Sequence, residues 1–296
     1  MISSVRTDLA MEAEQFFREK SALETVPGLR SRRDTRSGFS VSTVEVLDRW
    51  GEEAIGKPVG RYVTLELDAL LRREQDAFPR ACELLAELLR DFLNFPSPSP
   101  VLVAGLGNRD ITPDAVGPIT LDNLMVTRHL REKLPEHFGD FRPVCGICSG
   151  VLGTTGIESG DIIAAIGSAV SPAAVVAVDA LASRSMARLC RTVQIADTGI
   201  VPGSGVGNAR QALNRESLGV PVIAVGVPTV VDAATLAEDI TGGELPDKRR
   251  AEAGSMIVTP RDIDKNVRDI GKLVGYALNL ALHEGLTVED VDMFMS

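Results

Sequence analysis

From residue 101 onward the chain alternates between short runs that are apolar throughout and longer stretches with apolar positions three or four residues apart. The uniform runs are "VLVAG" (101–105), "AAVVAVDAL" (173–181) and "VPVIAVGVPTVV" (220–231). Runs without polar alternation read as strands covered on both faces. Between and after them, "GPITLDNLMVTRHLREKL" (117–134) reads as a helix, and Ile162–Ala164 lies in a further short apolar segment. A last helix is expected over roughly 261–284, with Thr259 as N-cap and Pro260 in the first turn. Upstream, "CELLAELLRDFL" (82–93) has amphipathic helical spacing and stops at the prolines of "NFPSPSP" (94–100). Residues 1–75 are charged and irregular, with extended pieces at 39–46 and 62–67. The pattern predicts an α/β fold, a mostly parallel sheet with helices on both faces and an elaborated N-terminal portion. The helix at 82–93 is expected to cover the same sheet, which makes one domain.

Composition narrows the function classes. Over 296 residues the hydrophobic content is 44%, enough for a sizeable core. A formal net charge of −10 argues against direct nucleic-acid binding, which needs a basic surface. No apolar run has the length of a bilayer span, and "MISSVRTDLAMEAE" lacks a signal peptide's apolar stretch, so no membrane partner and a cytoplasmic location are expected. The four cysteines, Cys82, Cys145, Cys148 and Cys190, form no disulfide framework. Cys145 and Cys148 have the spacing of a metal or redox pair, but no second pair accompanies them, and a structural role is preferred.

The chemistry concentrates in "VLVAGLGNRDITPDAVGP" (101–118). It opens like a nucleotide-binding strand and glycine loop, yet Asp110 stands where a third glycine would let a helix pack close, and Asp114 follows. In open α/β sheets ligands gather beyond the carboxyl ends of the strands. The strand at 173–181 brings Asp179 to that same edge. Asp110 reads as a helix cap, whereas for Asp114 and Asp179 capping and chemistry stand level. A metal site would want a histidine, and the chain has only His129, His137 and His283. Two carboxyls sharing a proton, one a base and one an acid, fit better. A serine-hydrolase reading lacks its G-x-S-x-G elbow. The tract "DTGIVPGSGVGNAR" (197–210) lacks the Gly-Lys-Ser/Thr ending of a P-loop. Its Gly203, Gly205 and Gly207 fit a loop lining a substrate cleft or a backbone anion cradle. The D-T-G at Asp197 resembles the pepsin-like triplet, but those enzymes are antiparallel β, and Asp197 is a minor candidate.

These residues carry a family resemblance. "SVRTDLAMEA", "GRYVTLE", "GLGNRDITPDAVGP", "GVLGTTGIES", "VVAVDALASRS", "IADTGIVPGSGVGNAR" and "GVPVIAVGVPTVVDA" resemble the spore germination proteases nearly end to end. The resemblance implies a fold similar to the hydrogenase maturation proteases. It also implies an atypical aspartic-type endopeptidase that initiates degradation of small acid-soluble spore proteins during germination. Asp114 and Asp179 correspond by motif to the family's essential aspartates, and Asn is common at the place of Asp110. No metal and no cofactor are implied. A homotetramer in the cytoplasm of the forespore and spore core is.

The family's self-processing zymogen implies one further site. In "TDLAMEA" (7–13), Thr-Asp-Leu-Ala-x-Glu resembles the Thr-Glu-Ile/Phe-Ala-x-Glu sites cut in its substrates. The bond between Asp8 and Leu9 is therefore the expected cleavage site, with residues 1–8 a propeptide and 9–296 a single protease domain. The same stretch also reads as a helix start with Asp8 as N-cap. Two other functions remain beside this one. A nickel-binding endopeptidase of the hydrogenase maturation kind would need a histidine after Asp179 that is missing at a comparable distance. A non-enzymatic module would bind an anion or nucleotide on the 203–207 loop.

Overall fold

A computed structural model of the chain describes residues 7–21, 25–96, 98–207, 209–254 and 256–295. The described strands are β1 (Leu29–Arg36), β2 (Phe39–Val46), β3 (Gly60–Glu66), β4 (Val101–Leu106), β5 (Val144–Gly150), β6 (Ala174–Ser183), β7 (Thr192–Ala196), β8 (Val222–Asp232) and β9 (Ile257–Val258). They join one sheet in the order β1-β2-β3-β7-β8-β6-β4-β5, with β9 on the end of β8.

The sheet is parallel in only half of its width. Strands β5, β4, β6 and β8 run parallel, whereas β7, β3, β2 and β1 are joined through antiparallel pairings. The expectation of a mostly parallel sheet is corrected accordingly. The physical reason lies in the connections. Residues 184–191 between β6 and β7 are too few for a crossover of a dozen or more residues, so the chain turns back instead. Ser37 and Gly38, both at positive φ, make the two-residue hairpin between β1 and β2. β1 itself, "LRSRRDTR", is an exposed edge strand, and its polar sequence hides it from hydrophobic patterning.

Helices cover both faces. On one, Ala77–Arg90, Val116–Asp122 and Ile263–Leu282 pack over Val101, Val103, Val176 and Val225. On the other, Ser159–Val170 covers Leu102, Ala104 and Val175, and α1 (Ala10–Ser21) covers Val44, Tyr62 and Ala196. Ile162–Ala164 is thus helical. The helix expected at 117–134 breaks into Val116–Asp122 and Arg128–Lys133. Between them the backbone finds other partners: Met125 N–H donates to Asn279 Oδ1, and Thr127 N–H to the Val144 carbonyl. The helix expected over 261–284 runs from Ile263 to Leu282 and is not the last, since Val288–Met295 follows it; Thr259 caps nothing there, and its hydroxyl donates to the Thr229 carbonyl. No described helix is long and apolar enough to cross a membrane.

Gly117 sets the depth at which Val116–Asp122 lies on the sheet. A Cβ there would stand 2.3 Å from the Leu106 carbonyl oxygen and 2.7 Å from that of Val178. The close helix–strand contact that the loop lacks at Asp110 is therefore made one helical turn beyond Asp114. We expect Gly117→Ala to destabilise the protein by about 1–3 kcal/mol, because backbone atoms cannot yield as a side chain does. Gly167→Ala has open space around it inside the helix Ser159–Val170 and should be neutral or stabilising by up to about 1 kcal/mol. Urea unfolding midpoints of the two variants check the contrast.

Candidate active site

Asp179 is not at a strand end, as its sequence context suggested, but inside β6, which continues to Ser183. It meets a cavity because its neighbour stops. Gly105 pairs with Val178, and β4 leaves the sheet one residue later. Asp179 therefore borders the gap where β4 turns into the Asn108–Asp114 loop. That gap is part of a cavity of about 420 Å³ lined by Asp114, Asp179, Asp8, Gly203 and Gly205, with Ile111 and Ile257 among its apolar walls.

The acids differ in their surroundings. Asp114 Oδ2 accepts a 2.7 Å hydrogen bond from the Asn108 N–H. Burial raises its pKa, and that bond works against the rise. Asp179 is 4% exposed and accepts one bond from the N–H of Ala180, at 2.9 Å. Burial pushes its pKa well above the usual carboxylate value, and the charges of Asp114 and Asp8 push it further. Both acids are thus shifted upward, Asp179 further than Asp114.

Asp8 enters this cavity with its segment. Its N–H donates to the Ala182 carbonyl at 2.9 Å. Its carboxylate accepts from the Ala182 N–H at 2.8 Å and the Ser204 hydroxyl at 2.7 Å. The expected N-cap role is therefore replaced: the Asp8 side chain faces the end of β6 and the glycine loop. Gly205 permits this, since a Cβ there would stand 2.1 Å from Asp8 Oδ2. The next residues are fixed as firmly. Leu9 and Ala10 are 0% exposed. Lys57 Nζ donates to the Thr7 carbonyl at 2.9 Å; burial lowers the Lys57 pKa while Asp8 and Glu12 counteract it. The buried Glu12 carboxylate accepts from the N–H groups of Arg184 (2.6 Å) and Ser185 (3.2 Å) and pairs with Arg188 at 3.3 Å. Residues 1–6 of the expected propeptide lie outside the described residues.

The other candidates fall elsewhere. Asp110 is exposed and caps no helix; its N–H donates to Asn108 Oδ1, so the asparagine makes the turn. Asp197 accepts from the Arg61 N–H where β3 meets β7. Gly207 ends the short turn Ser204–Val206 and does not line the cavity that Gly203 and Gly205 line. All four cysteines are free thiols. His129 and His137 are exposed, and His283 is buried against Phe141. Among the described residues no group of three or more histidine, cysteine or acidic side chains is arranged to hold a metal ion. Lys57, Gln194 and Ser204 were missed in the sequence, and Glu12 was read only as part of the cleavage motif, not as an anchor of the segment. Only Gln194 left a signal, as the single polar side chain able to both donate and accept within "VQIA".

Residues 5–242 match the family model described as germination protease. Germination proteases of Caldanaerobacter subterraneus and Clostridium tetani are each 40% identical to this chain, covering 100% and 99% of it and 99% and 100% of their own lengths. That of Priestia megaterium is 39% identical and covers 97% of the chain and 96% of its own length. A nickel–iron hydrogenase maturation protease from Thermococcus kodakarensis matches 64% of the chain and 98% of its own, at 17% identity and a TM-score of 0.36, too remote a likeness to bear on the fold. The chain belongs to the germination protease family and is a protease.

The raised pKa of Asp179 has a consequence for stability. The folded state holds this proton more tightly than the unfolded chain, so its contribution is fully present below the ordinary aspartate pKa and is lost as pH rises through the folded value. Asp179→Asn removes that loss. We expect the variant to be more stable than the parent at neutral pH, with the advantage shrinking as the buffer approaches the ordinary aspartate pKa. Urea unfolding of both proteins across this pH range checks the sign.

Proposed function

We propose that this member of the germination protease family hydrolyses peptide bonds with Asp114 and Asp179 as an acid–base pair. In the arrangement we infer, the Asp114 carboxylate takes a proton from water as the water oxygen bonds to the substrate's carbonyl carbon. Asp179, in its acid form, gives its proton to the departing amide nitrogen as the C–N bond breaks. The observation that carries this reading is the presence of the chain's own segment, residues 7–10, beside the two carboxyls, anchored at Ala182 and Ser204. A peptide is the ligand for which that cleft is already built.

On this reading the protein is a zymogen. It cuts itself between Asp8 and Leu9, residues 1–8 are the propeptide, and 9–296 form the protease domain. Its substrates would be the small acid-soluble spore proteins, met in the cytoplasm of the forespore and spore core, and its working form a homotetramer. Gly203 and Gly205 would line the substrate cleft. The reaction as written uses no metal and no cofactor.

Asp114→Asn and Asp179→Asn should each slow cleavage by about 10²–10⁴-fold with the fold retained, since an amide cannot exchange the proton. Mass spectrometry of a small acid-soluble spore protein incubated with each variant, alongside circular dichroism, checks this. Near-parental cleavage by either folded variant would remove that residue from the chemistry.

A further inference from the structure

We propose that Gln194 is a further catalytic residue, whose side-chain amide stabilises the oxyanion formed when the bond between Asp8 and Leu9 is cut. This rests on the reading of that bond as the cleavage site. Gln194 lies on β7, is 6% exposed and faces the segment. Its Nε2 donates to the carbonyl oxygen of Asp8 at 3.2 Å. Its Oε1 accepts from the N–H of Ala10 at 2.8 Å. The second bond fixes the orientation of the first: a backbone N–H demands an acceptor, so the oxygen must face Ala10 and the NH₂ must face Asp8. One amide thus brackets Leu9 through its backbone alone, independently of the side chain that Leu9 carries.

The register connects this amide to the carboxyl pair. Gln194 pairs with Gly226 across β7 and β8, and Asp179 pairs with Gly226 across β8 and β6. The three residues form one row, and paired residues on neighbouring strands point to the same face. Two strand spacings, about 10 Å, separate the ends of the row; its middle member has no side chain, and the Leu181 side chain lies over it. Asp8 bridges it, lining both the cavity of Asp114 and Asp179 and a smaller one of about 250 Å³ lined by Gln194.

The chemistry balances. When the water oxygen bonds to the Asp8 carbonyl carbon, the π pair moves onto the carbonyl oxygen, which the Gln194 NH₂ already contacts. That hydrogen bond strengthens as negative charge builds, in a site shielded from water. The pair then returns to re-form the carbonyl, the C–N bond breaks, and the Leu9 nitrogen takes its proton from Asp179. A hydrogen bond that merely held the segment would slow nothing once the segment was bound.

The test follows self-processing of the full chain, moved from neutral to mildly acidic buffer, by intact mass and N-terminal sequencing. Gln194→Met, similar in size but without a donor, should slow the appearance of the Leu9 N-terminus by about 10²–10³-fold without moving the cut. Gln194→Glu should be slow at neutral pH, and its rate relative to the parent should rise as the pH falls, because a protonated carboxyl regains a donor. This ratio keeps the test usable if the methionine variant folds poorly. Unreduced processing by Gln194→Met, or a glutamate-to-parent ratio that stays flat with pH, would overturn the assignment of Gln194 alone. A parent chain that never yields Leu9 would overturn the cleavage-site reading and this inference together.

Discussion

A carboxyl buried inside a sheet governs the arrangement. Asp179 lies among apolar neighbours of β6 with the Ala180 N–H as its one hydrogen-bond donor among the described residues. An ionised carboxylate in such a place would cost several kcal/mol, so burial pushes the pKa of the group well above the usual carboxylate value. The surrounding chain is consistent with that shift. Among the described residues no arginine or lysine acts on the group; its charged neighbours are other acids, Asp114 and Asp8, which raise Asp179 further. β4 ends beside Asp179 and so opens the cavity at this carboxyl. Gly117 then lets the helix after the loop settle against the strands, which brings Asp114 to the rim of the same opening.

The N-terminal segment is bound at two places of different character. Asp8 is held by groups at the cleft: the end of β6, the glycine loop, and Gln194 through its carbonyl. Glu12 is held by Arg184, Ser185 and Arg188, away from the carboxyl pair, and continues into a helix whose Ala10 and Ala13 sit in the core. A cut after Asp8 would separate these sets. The contacts at Asp8 and Thr7 would be lost with the released piece, while Glu12 would still hold the start of α1. Release would therefore clear the cleft without unfolding the face of the sheet that α1 covers.

Much of this was legible in the sequence, and what was not has physical causes. The strands at 101–105, 173–181 and 220–231 stood out because burial on two faces demands nearly unbroken apolar runs, while 39–46 showed only as an extended piece of mixed polarity. Asp179 stood out as an acid within such a run, and Asp114 as an acid in the glycine loop that follows one. β1 was hidden because an edge strand in solvent needs no apolar face. The break after Asp122 was hidden because it depends on Asn279 and Val144, partners distant in sequence. Asp8 looked like a helix cap, since local spacing says nothing of β6, 174 residues away, where its carboxylate actually bonds. Gln194 was visible only as an oddity in an apolar strand. Its use emerges from the register with Gly226, which no linear pattern contains.

The change of strand direction explains why these groups meet at all. β8 is the border: β6 runs parallel on one side of it, and β7 runs antiparallel on the other. On the parallel side, strands ending at one edge leave a crevice between their loops, which is where open sheets bind ligands. That side supplies Asp114 and Asp179. The antiparallel side supplies Gln194 from β7, and Lys57 just before β3, the residues that grip the segment's backbone. A wholly parallel sheet would need a crossover between β6 and β7, and its helix would cover the face that the segment now occupies. The short return through 184–191 avoids that helix, and its backbone N–H groups at Arg184 and Ser185 receive Glu12 instead. The antiparallel half that patterning underestimated is thus what leaves room for a peptide beside the carboxyl pair.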